Sequence, residues 1–335
     1  MKTLAYLVTA WLAALLLAAG CYGSTPPVVK LGLIAPFEEL HRDDGYAALA
    51  AVTLAINQRN AAGGVAGRQV ALVALNDNGR PEEARRQVAN LAVDQDVLGV
   101  VGPLHSVTAA AAGPALAAAG LPWVTLASLA PDQQPAGFAL EAQPADVAVL
   151  AEELLRVDGV ANPVIVGMGA SFPATQSPDQ QASGLIWLGG AAGGARVAGR
   201  LDPDVLLIGG PELGSPVFAR RAGDAATGVR WLSAGPQAGA LPADFTAAYQ
   251  ELAGAPPSPQ AVLAYDATNL LLDALAHAGA GGAALDRQAV FRSLADLGAA
   301  GWQGLSGSVT WQSAGCPAPQ PCWLRLHPPL SVHQW

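Results

Sequence analysis

Residues 97–126 read VLGVVGPLHSVTAAAAGPALAAAGLPWVTL, and this stretch alone indicates the architecture of the chain. It predicts a strand over 97–101, a helix over 106–119 and a second strand over 122–126, with only short loops between them. Two strands that are connected by a helix in this way are typical of a βαβ unit, in which the strands run parallel. The stretch therefore predicts an α/β fold with a parallel sheet.

The same alternation continues on both sides of this unit. The predicted strands lie over 28–34, 70–75, 97–101, 122–126, 163–166, 185–188, 205–208 and 229–232, and further β-like runs lie over 308–311 and 323–326. The predicted helices lie over 46–60, 81–93, 106–119, 145–156, 191–200, 215–222, 261–278 and 286–297, with another that begins near 243. Because strands alternate with helices, we expect parallel sheets that are covered by helices on both faces.

The composition excludes several classes of protein. The 335 residues carry a net charge of -9 with only 13% charged side chains and no cluster of lysine and arginine, so we expect no nucleic-acid partner. The five histidines lack the spacing of a metal site, and three cysteines are too few for a disulfide scaffold, so we expect no metal and no cofactor. The length corresponds to two domains.

Enzyme motifs do not account for the chain either. The segment GMGASF at 167–172 follows a predicted strand, but it lacks the third glycine and the following helix of a dinucleotide-binding loop. The sequence contains no GxSxG nucleophile elbow, and no pair of carboxylates stands at recognisable positions after the strands. We therefore expect a protein without catalytic activity.

The N-terminus predicts export. Residues 1–20 have a short basic start, an apolar run and small residues at the end, as a secretory signal peptide does. The following Cys21 resembles the lipidated cysteine of a bacterial lipobox, although Leu17 lies four residues before it instead of three. Residues 21–27 would then form a tether. A cleaved, freely secreted form and an uncleaved anchor helix are the alternatives, and all three place the protein outside the cytoplasm.

The other two cysteines fit the same compartment. Cys316 and Cys322 bracket the proline-rich segment PAPQP, and in an oxidising compartment they predict a small disulfide loop. Its role would be structural, because no CxxC motif indicates a redox-active thiol.

Seven segments resemble, in order and spacing, the leucine/isoleucine/valine-binding family of ABC-transporter solute-binding proteins. They are LGLIAPF (31–37), AIN (55–57), NAAGGVAGR (60–68), NDNGRPEEA (76–84), VVGPLHS (100–106), IGGPE (208–212) and AGDAATGV (222–229). The resemblance covers about 28–278 and implies the type I periplasmic-binding fold, in which two α/β lobes close on a small ligand and the chain crosses between them three times.

Domain boundaries follow from the resemblance. Lobe one would comprise 28–143 plus 260–312, and lobe two 144–259 plus 313–335. The proline-rich stretch 256–259 would lie at one of the crossovers.

The resemblance implies binding residues in two loops of lobe one. Ser106, preceded by His105 at the start of a helix, matches the serine that holds the ligand's α-carboxylate, and free N–H groups at a helix start favour an anion. Ser106 could equally be a helix cap. Ala127 and Ser128 match the second binding loop, although Leu129 stands where the family has a threonine.

Further contacts are expected from lobe two and from the first loop. Glu212 matches the acidic residue that pairs with the ligand's α-ammonium group, and a solvated loop glutamate is the alternative. His41 falls where the family often has an aromatic wall. Residues 167–183 stand where the family has a complete βαβ unit, so we expect a shortened second lobe in which Phe172 would have to replace the usual aromatic contact.

Together these residues imply an extracytoplasmic, lipid-anchored solute-binding protein of an ABC-type uptake system. It would bind a small amino-acid-like or carboxylated ligand between its lobes and present it to a membrane permease. A ligand-free lipoprotein adaptor or sensor that binds a cell-envelope partner through the same fold is the alternative from another class. A hydrolase acting in the cleft is a third.

Overall fold

The structure is a computed structural model, and it describes residues 26–129, 137–167, 183–236, 238–313, 323–326 and 330–335. The predicted signal peptide (1–20), Cys21, Phe172 and the predicted disulfide between Cys316 and Cys322 lie outside these residues. Within them, no helix has both the length and the apolar character that a membrane span requires.

Most of the described elements lie where the sequence predicts them, and the strands over 137–139, 302–304 and 330–334 are additional. The strands are β1 Val28–Ala35, β2 Gln69–Asn76, β3 Val97–Val101, β4 Trp123–Thr125, β5 Gly137–Ala139, β6 Val164–Val166, β7 Gly184–Trp187, β8 Leu206–Gly209, β9 Arg230–Ala234, β10 Trp302–Gly304, β11 Gly307–Val309, β12 Trp311–Ser313, β13 Trp323–Leu326 and β14 Leu330–Gln334. The helices are α1 Arg42–Ala61, α2 Pro81–Ala92, α3 Ser106–Ala118, α4 Pro144–Val157, α5 Ala191–Ala198, α6 Pro216–Ala222, α7 Ala243–Ala253, α8 Pro259–Ala278 and α9 Arg287–Ala300.

Two separate sheets organise the two lobes. The first has seven strands in the order β12-β13-β5-β4-β3-β1-β2, all paired in parallel except β12 with β13. The second has five strands in the order β14-β9-β8-β7-β6, in which only β14 is antiparallel to its neighbour. The short β10 and β11 form a hairpin of their own. The predicted α/β fold with parallel sheets is confirmed.

Helices cover both faces of the first sheet, because its strands are apolar on both sides. Every residue of β3 is buried. One face packs against α1, α8 and α9, and the other against α2 and α3. Burial on both faces is what gives such strands a continuous apolar sequence instead of an alternating one.

The second sheet is covered in the same way. Leu185 and Trp187 of β7 point to one face, where they pack with α5 and α6. Ile186 of the same strand and Ile208 of β8 point to the other face, where they pack with α4. The connection between β6 and β7 runs through residues 167–183, most of which lie outside the described residues, so the predicted shortening of this lobe stays a prediction.

The boundary predicted at residue 259 differs from the structure, since α7 already packs on the first lobe. Phe245 and Tyr249 are buried in the core cluster of α1, and the Tyr249 hydroxyl donates to the carbonyl of Ala47 over 3.1 Å. The chain therefore crosses from the second lobe between β9 and α7. The prolines at 256–259 have another role: Pro259 opens α8, and the Ser258 hydroxyl caps it by accepting from Ala261 N.

The predicted assignment of the whole tail 313–335 to lobe two is also corrected. β13 pairs in parallel with β5 in the first sheet, and only β14 joins the second, beside β9. The sequence predicts a strand at 323–326 but not its partner, because β5 is only three residues long. The chain thus crosses between the sheets after β5, after β9 and after β13.

Candidate functional site

A cavity of about 130 Å³ lies between the two lobes, beyond the carboxyl ends of the strands. This is the usual place for a ligand in an open α/β sheet. An engineered protein cavity of about 150 Å³ accepts benzene, so the space suits a small molecule. The residues that line it are Asp43, Asp44, Ala47, Leu104, His105, Leu126, Ala127, Ser128, Glu141, Pro211, Glu212, Gly214, Ser215, Pro216, Trp231, Ser233, Ser258, Pro259 and Gln260.

Asp44 and His105 are the most closely paired ionisable groups of the cavity. Asp44 Oδ2 lies 3.2 Å from His105 Nε2 and 3.5 Å from His41 Nδ1, and the two histidine rings are 4.3 Å apart between centroids. Asp44 is buried in the first turn of α1, while His105 directly precedes α3. The first turns of two helices therefore bring these groups together.

The electrostatics of this pair favour its charged form. Burial opposes ionisation of Asp44, but His105 and His41 outweigh it and lower the pKa of the carboxyl to about 2. Burial also opposes protonation of His105, yet Asp44, Glu212 and Asp77 together raise the pKa of this imidazole above its usual value. Both partners thus hold their charges more strongly than free side chains would.

Glu141 is a second buried acid on the cavity wall. It follows β5, is 4% exposed, and its Oε1 accepts hydrogen bonds from Ala142 N at 2.7 Å and Ala234 N at 3.1 Å. Burial outweighs these two bonds and raises the pKa of the carboxyl to about 8, with a further contribution from Glu212. Glu141 therefore carries a proton at neutral pH.

The loop after β4 supplies fewer free groups than the sequence predicts. The Thr125 hydroxyl donates to the Pro103 carbonyl and accepts from Ala127 N at 3.1 Å, so the Ala127 amide is already paired. The Ser128 hydroxyl donates to the Ala142 carbonyl. Ser128 can therefore offer a ligand its oxygen lone pairs but not its proton.

The two lobes contact each other directly across the cavity. Arg220 of α6 forms an ion pair with Asp43 and donates to the Leu40 carbonyl over 3.2 Å. The Ser215 hydroxyl, which caps α6, lies 3.5 Å from Asp44 Oδ2. These contacts join the start of α1 in the first lobe to both ends of the short helix α6 in the second.

Four of the predicted binding residues line the cavity: His105, Ala127, Ser128 and Glu212. Predicted His41 lies behind His105, and Ser106, the first residue of α3, is half-buried and does not line the described cavity.

The sequence does not indicate Asp44 or Glu141. Asp44 precedes the predicted helix 46–60 and belongs to no recognised motif, and Glu141 follows a strand too short to be predicted.

The charge of the cavity wall is acidic. Asp43, Asp44, Glu141 and Glu212 line it, and no lysine or arginine does so in the part of the chain that the structure describes. Asp43 is paired with Arg220, the charges of Asp44 and His105 offset each other, and Glu141 is protonated. Glu212 is therefore the carboxylate with the greatest freedom to pair with a ligand. The wall is therefore suited to a group of positive charge.

Solved structures with this architecture are binding proteins of transporters. The branched-chain amino acid transporter substrate-binding protein LivJ from Streptococcus pneumoniae, in complex with isoleucine, matches with a TM-score of 0.74 at 19% identity, over 92% of this chain and 96% of that one. The leucine-binding protein LivK from Thermotoga maritima matches with a TM-score of 0.68 at 21% identity, over 84% and 91%. A solute-binding protein from R. palustris, in complex with benzoate, matches with a TM-score of 0.68 at 16% identity, over 92% and 93%.

Sequence comparison supports the same relationship. No curated protein sequence matches the chain. The family model described as periplasmic binding protein, however, matches residues 28–199, which is more than half of the chain. The resemblance noted from the seven segments is thereby confirmed, and the chain belongs to the periplasmic binding protein family.

Proposed function

We propose that the protein is an extracytoplasmic solute-binding protein of an ABC-type uptake system, which binds a small amino-acid-like ligand between its lobes. The observation that carries the proposal is the cavity of about 130 Å³, because both lobes contribute polar side chains to its wall. A ligand that touches both lobes stabilises the closed arrangement, and this arrangement is what a permease would recognise.

The groups on the wall suit a zwitterion. α3 begins directly after His105 of the wall, and its first N–H groups have no partner within the helix, so together with the helix dipole they would favour a carboxylate next to His105. Glu212, from the opposite lobe, would pair with an ammonium group. The similar solved structures that hold isoleucine and benzoate suggest two classes of ligand, amino acids and aromatic acids. Because no lysine or arginine lines the described wall, we favour the amino acid.

Isothermal titration against the common amino acids and against benzoate tests this assignment. We expect heat with at least one amino acid and none with benzoate. Glu212→Gln should weaken that binding about tenfold or more, since a buried charged hydrogen bond contributes about 1.5–3 kcal/mol. Glu153→Gln, an exposed acid on α4 of the same lobe, is the matched control and should bind as the parent protein does. Binding of benzoate alone would contradict the proposed ligand class.

Arg220 should contribute modestly to closure. Both members of its pair with Asp43 are about half exposed, so solvent screens the attraction and Arg220→Ala should lower ligand affinity only about two- to fivefold. Arg221→Ala, the exposed neighbour on α6, is the control and should leave the affinity unchanged. Titration calorimetry on both variants measures the difference. An equal effect of the two variants would show that the ion pair has no part in closure.

Export and anchoring form a separate part of the proposal. The motif before Cys21 supports lipidation at this residue. Cys21→Ser should move the protein from the membrane fraction to the soluble extracytoplasmic fraction in a bacterial host, and should abolish incorporation of labelled palmitate. Retention of the label would contradict lipidation at Cys21 and leave the solute-binding proposal unaffected.

A further inference from the structure

Three side chains that commonly ligate transition metals meet on the first-lobe side of the cleft. They are His41, at the end of the short 3-10 turn Glu39–His41, Asp44 in the first turn of α1, and His105 before α3. One nitrogen or oxygen atom from each lies within 4.8 Å of the others. The spacing of histidines along the sequence does not reveal this group, because the fold brings His105 to Asp44 across 61 residues.

The distances within the cluster match those between the ligand atoms of a metal site. Zinc ligands lie about 2.1 Å from the ion, so two ligand atoms at a tetrahedral angle are about 3.4 Å apart. The Asp44 carboxylate oxygen lies 3.2 Å from His105 Nε2 and 3.5 Å from His41 Nδ1. Two of the three edges that join these ligand atoms therefore have tetrahedral length, and all three atoms lie within 4.8 Å of one another.

Hydrogen bonds within the protein leave this cluster incompletely satisfied. His41 Nδ1, His105 Nδ1 and Asp77 Oδ2 are buried and have no hydrogen-bond partner among the described residues. His41 Nδ1 lies 3.5 Å from the Asp44 oxygen without forming a hydrogen bond, and a cation between the two atoms would bind both.

A metal-binding histidine usually donates its second ring N–H to a carboxylate or carbonyl group. The second ring nitrogen of His105, Nδ1, has no such partner among the described residues, and Oδ2 of the fully buried Asp77 is an acceptor that is not yet used. Gly79 of the same loop lies beside the His41 ring: a Cβ atom there would be 3.6 Å from His41 Cδ2.

We propose that His41, Asp44 and His105 bind one divalent transition-metal ion, best matched by zinc, on the first-lobe wall of the cleft. Two imidazole nitrogens and one carboxylate oxygen form the ligand set of zinc sites that keep an open fourth position. Asp44 and His105 line the same cavity as Glu212 and Ser215 of the second lobe, so a polar group of the bound solute could occupy the fourth position. The inference rests on the proposed function in so far as it places the ion inside the solute site.

Zinc titration of tag-free protein in competition with a chromophoric chelator, with no amino acid present, tests the site. We expect one zinc ion per chain. Asp44→Asn keeps the size of the side chain but removes the charged ligand, and it should weaken zinc binding by at least about tenfold. His105→Gln should do the same. Cobalt should replace zinc in the parent protein and give the visible absorption bands of a tetrahedral site, which a merely structural role of these residues would not produce.

Glu38→Gln is the matched control, because Glu38 is an exposed acid three residues before His41 that lies outside both the cluster and the cavity wall. It should bind zinc as the parent protein does, and circular dichroism should show that all variants are folded. No zinc binding by the parent protein, or an equal loss in Glu38→Gln and Asp44→Asn, would overturn the inference. Either result leaves the amino-acid titrations to be judged separately, since those can be run with a chelator that removes all metal.

Discussion

Between pH 5 and pH 9 the parent protein is expected to lose more stability than the Glu141→Gln variant. The folded-state pKa of Glu141 is about 8, whereas its ordinary value is 4.5. The folded protein therefore binds a proton here that the unfolded chain releases, so this contribution to stability is complete below about pH 4.5 and is lost as the pH rises through 8. The difference is on the order of a few kcal/mol, because each unit of pKa corresponds to about 1.4 kcal/mol.

Glutamine is a suitable replacement because its amide oxygen can still accept from Ala142 N and Ala234 N. The two proteins should therefore be similar at pH 5, and the variant should be the more stable at pH 9. Urea unfolding at pH 5, 7 and 9 measures the difference. His105 and His333 also titrate with shifted pKa values, but they are present in both proteins and cancel in the comparison.

Glu153→Gln is the control for the loss of an exposed carboxylate, and it should leave the pH dependence of the parent protein unchanged. If the free energy of unfolding changed with pH in the same way in Glu141→Gln and in the parent protein, Glu141 would already be ionised in the folded protein at neutral pH. In that case the cleft would carry one more negative charge at pH 7 than we infer.

Gly45→Ala is expected to lower both the stability of the protein and its affinity for the ligand. A Cβ atom at this position would lie 1.8 Å from the Pro36 carbonyl oxygen, which is far inside contact distance and is backbone, not a movable side chain. The first turn of α1 would have to move away from the end of β1, and Asp44 would move with it. We expect a loss of about 1–3 kcal/mol or more in the free energy of unfolding.

Gly199→Ala provides the matched control. Gly199 ends α5 with φ −70°, and the nearest atom to a new Cβ is the Ala195 carbonyl oxygen at 3.6 Å. This variant should be neutral or slightly stabilising, since alanine restricts the unfolded chain and fits the folded one. Thermal unfolding of both variants, together with ligand titration, measures the two effects. Equal stability of Gly45→Ala and Gly199→Ala would contradict the close approach of α1 to β1.

In the first lobe, local sequence patterns predict the sheet but not every chain crossing. The strands of the unit 97–126 are apolar except for Thr125, and the helix between them is bounded by glycine and proline, so hydrophobic pattern and loop length suffice to predict a parallel sheet. The same information failed at the proline-rich stretch 256–259. A group of prolines marks a helix start as readily as a chain crossing, and only the burial of Phe245 and Tyr249 beside α1 distinguishes the two.

Some residues of the candidate site can also be predicted from the sequence, and others cannot. His105 and Glu212 are predicted because each stands in a segment that resembles the binding protein family, and both line the cavity. Glu141 and Asp44 are missed, because an acid becomes unusual only through its burial, and burial depends on segments that are distant in sequence. Ala234, which donates to Glu141, is 93 residues away, and Ser215, which reaches Asp44, is 171 residues away.

Sequence alone thus determined the α/β class, the order of strands and helices and the family resemblance, because these depend on periodicity, loop length and local motifs. The tertiary structure alone decided which lobe receives α7 and the C-terminal strands, and which ionisable side chains meet in the cleft. Those outcomes depend on contacts between segments far apart in the chain, whose energies come from desolvation and from charges a few ångströms apart, and neither quantity can be read along a linear sequence.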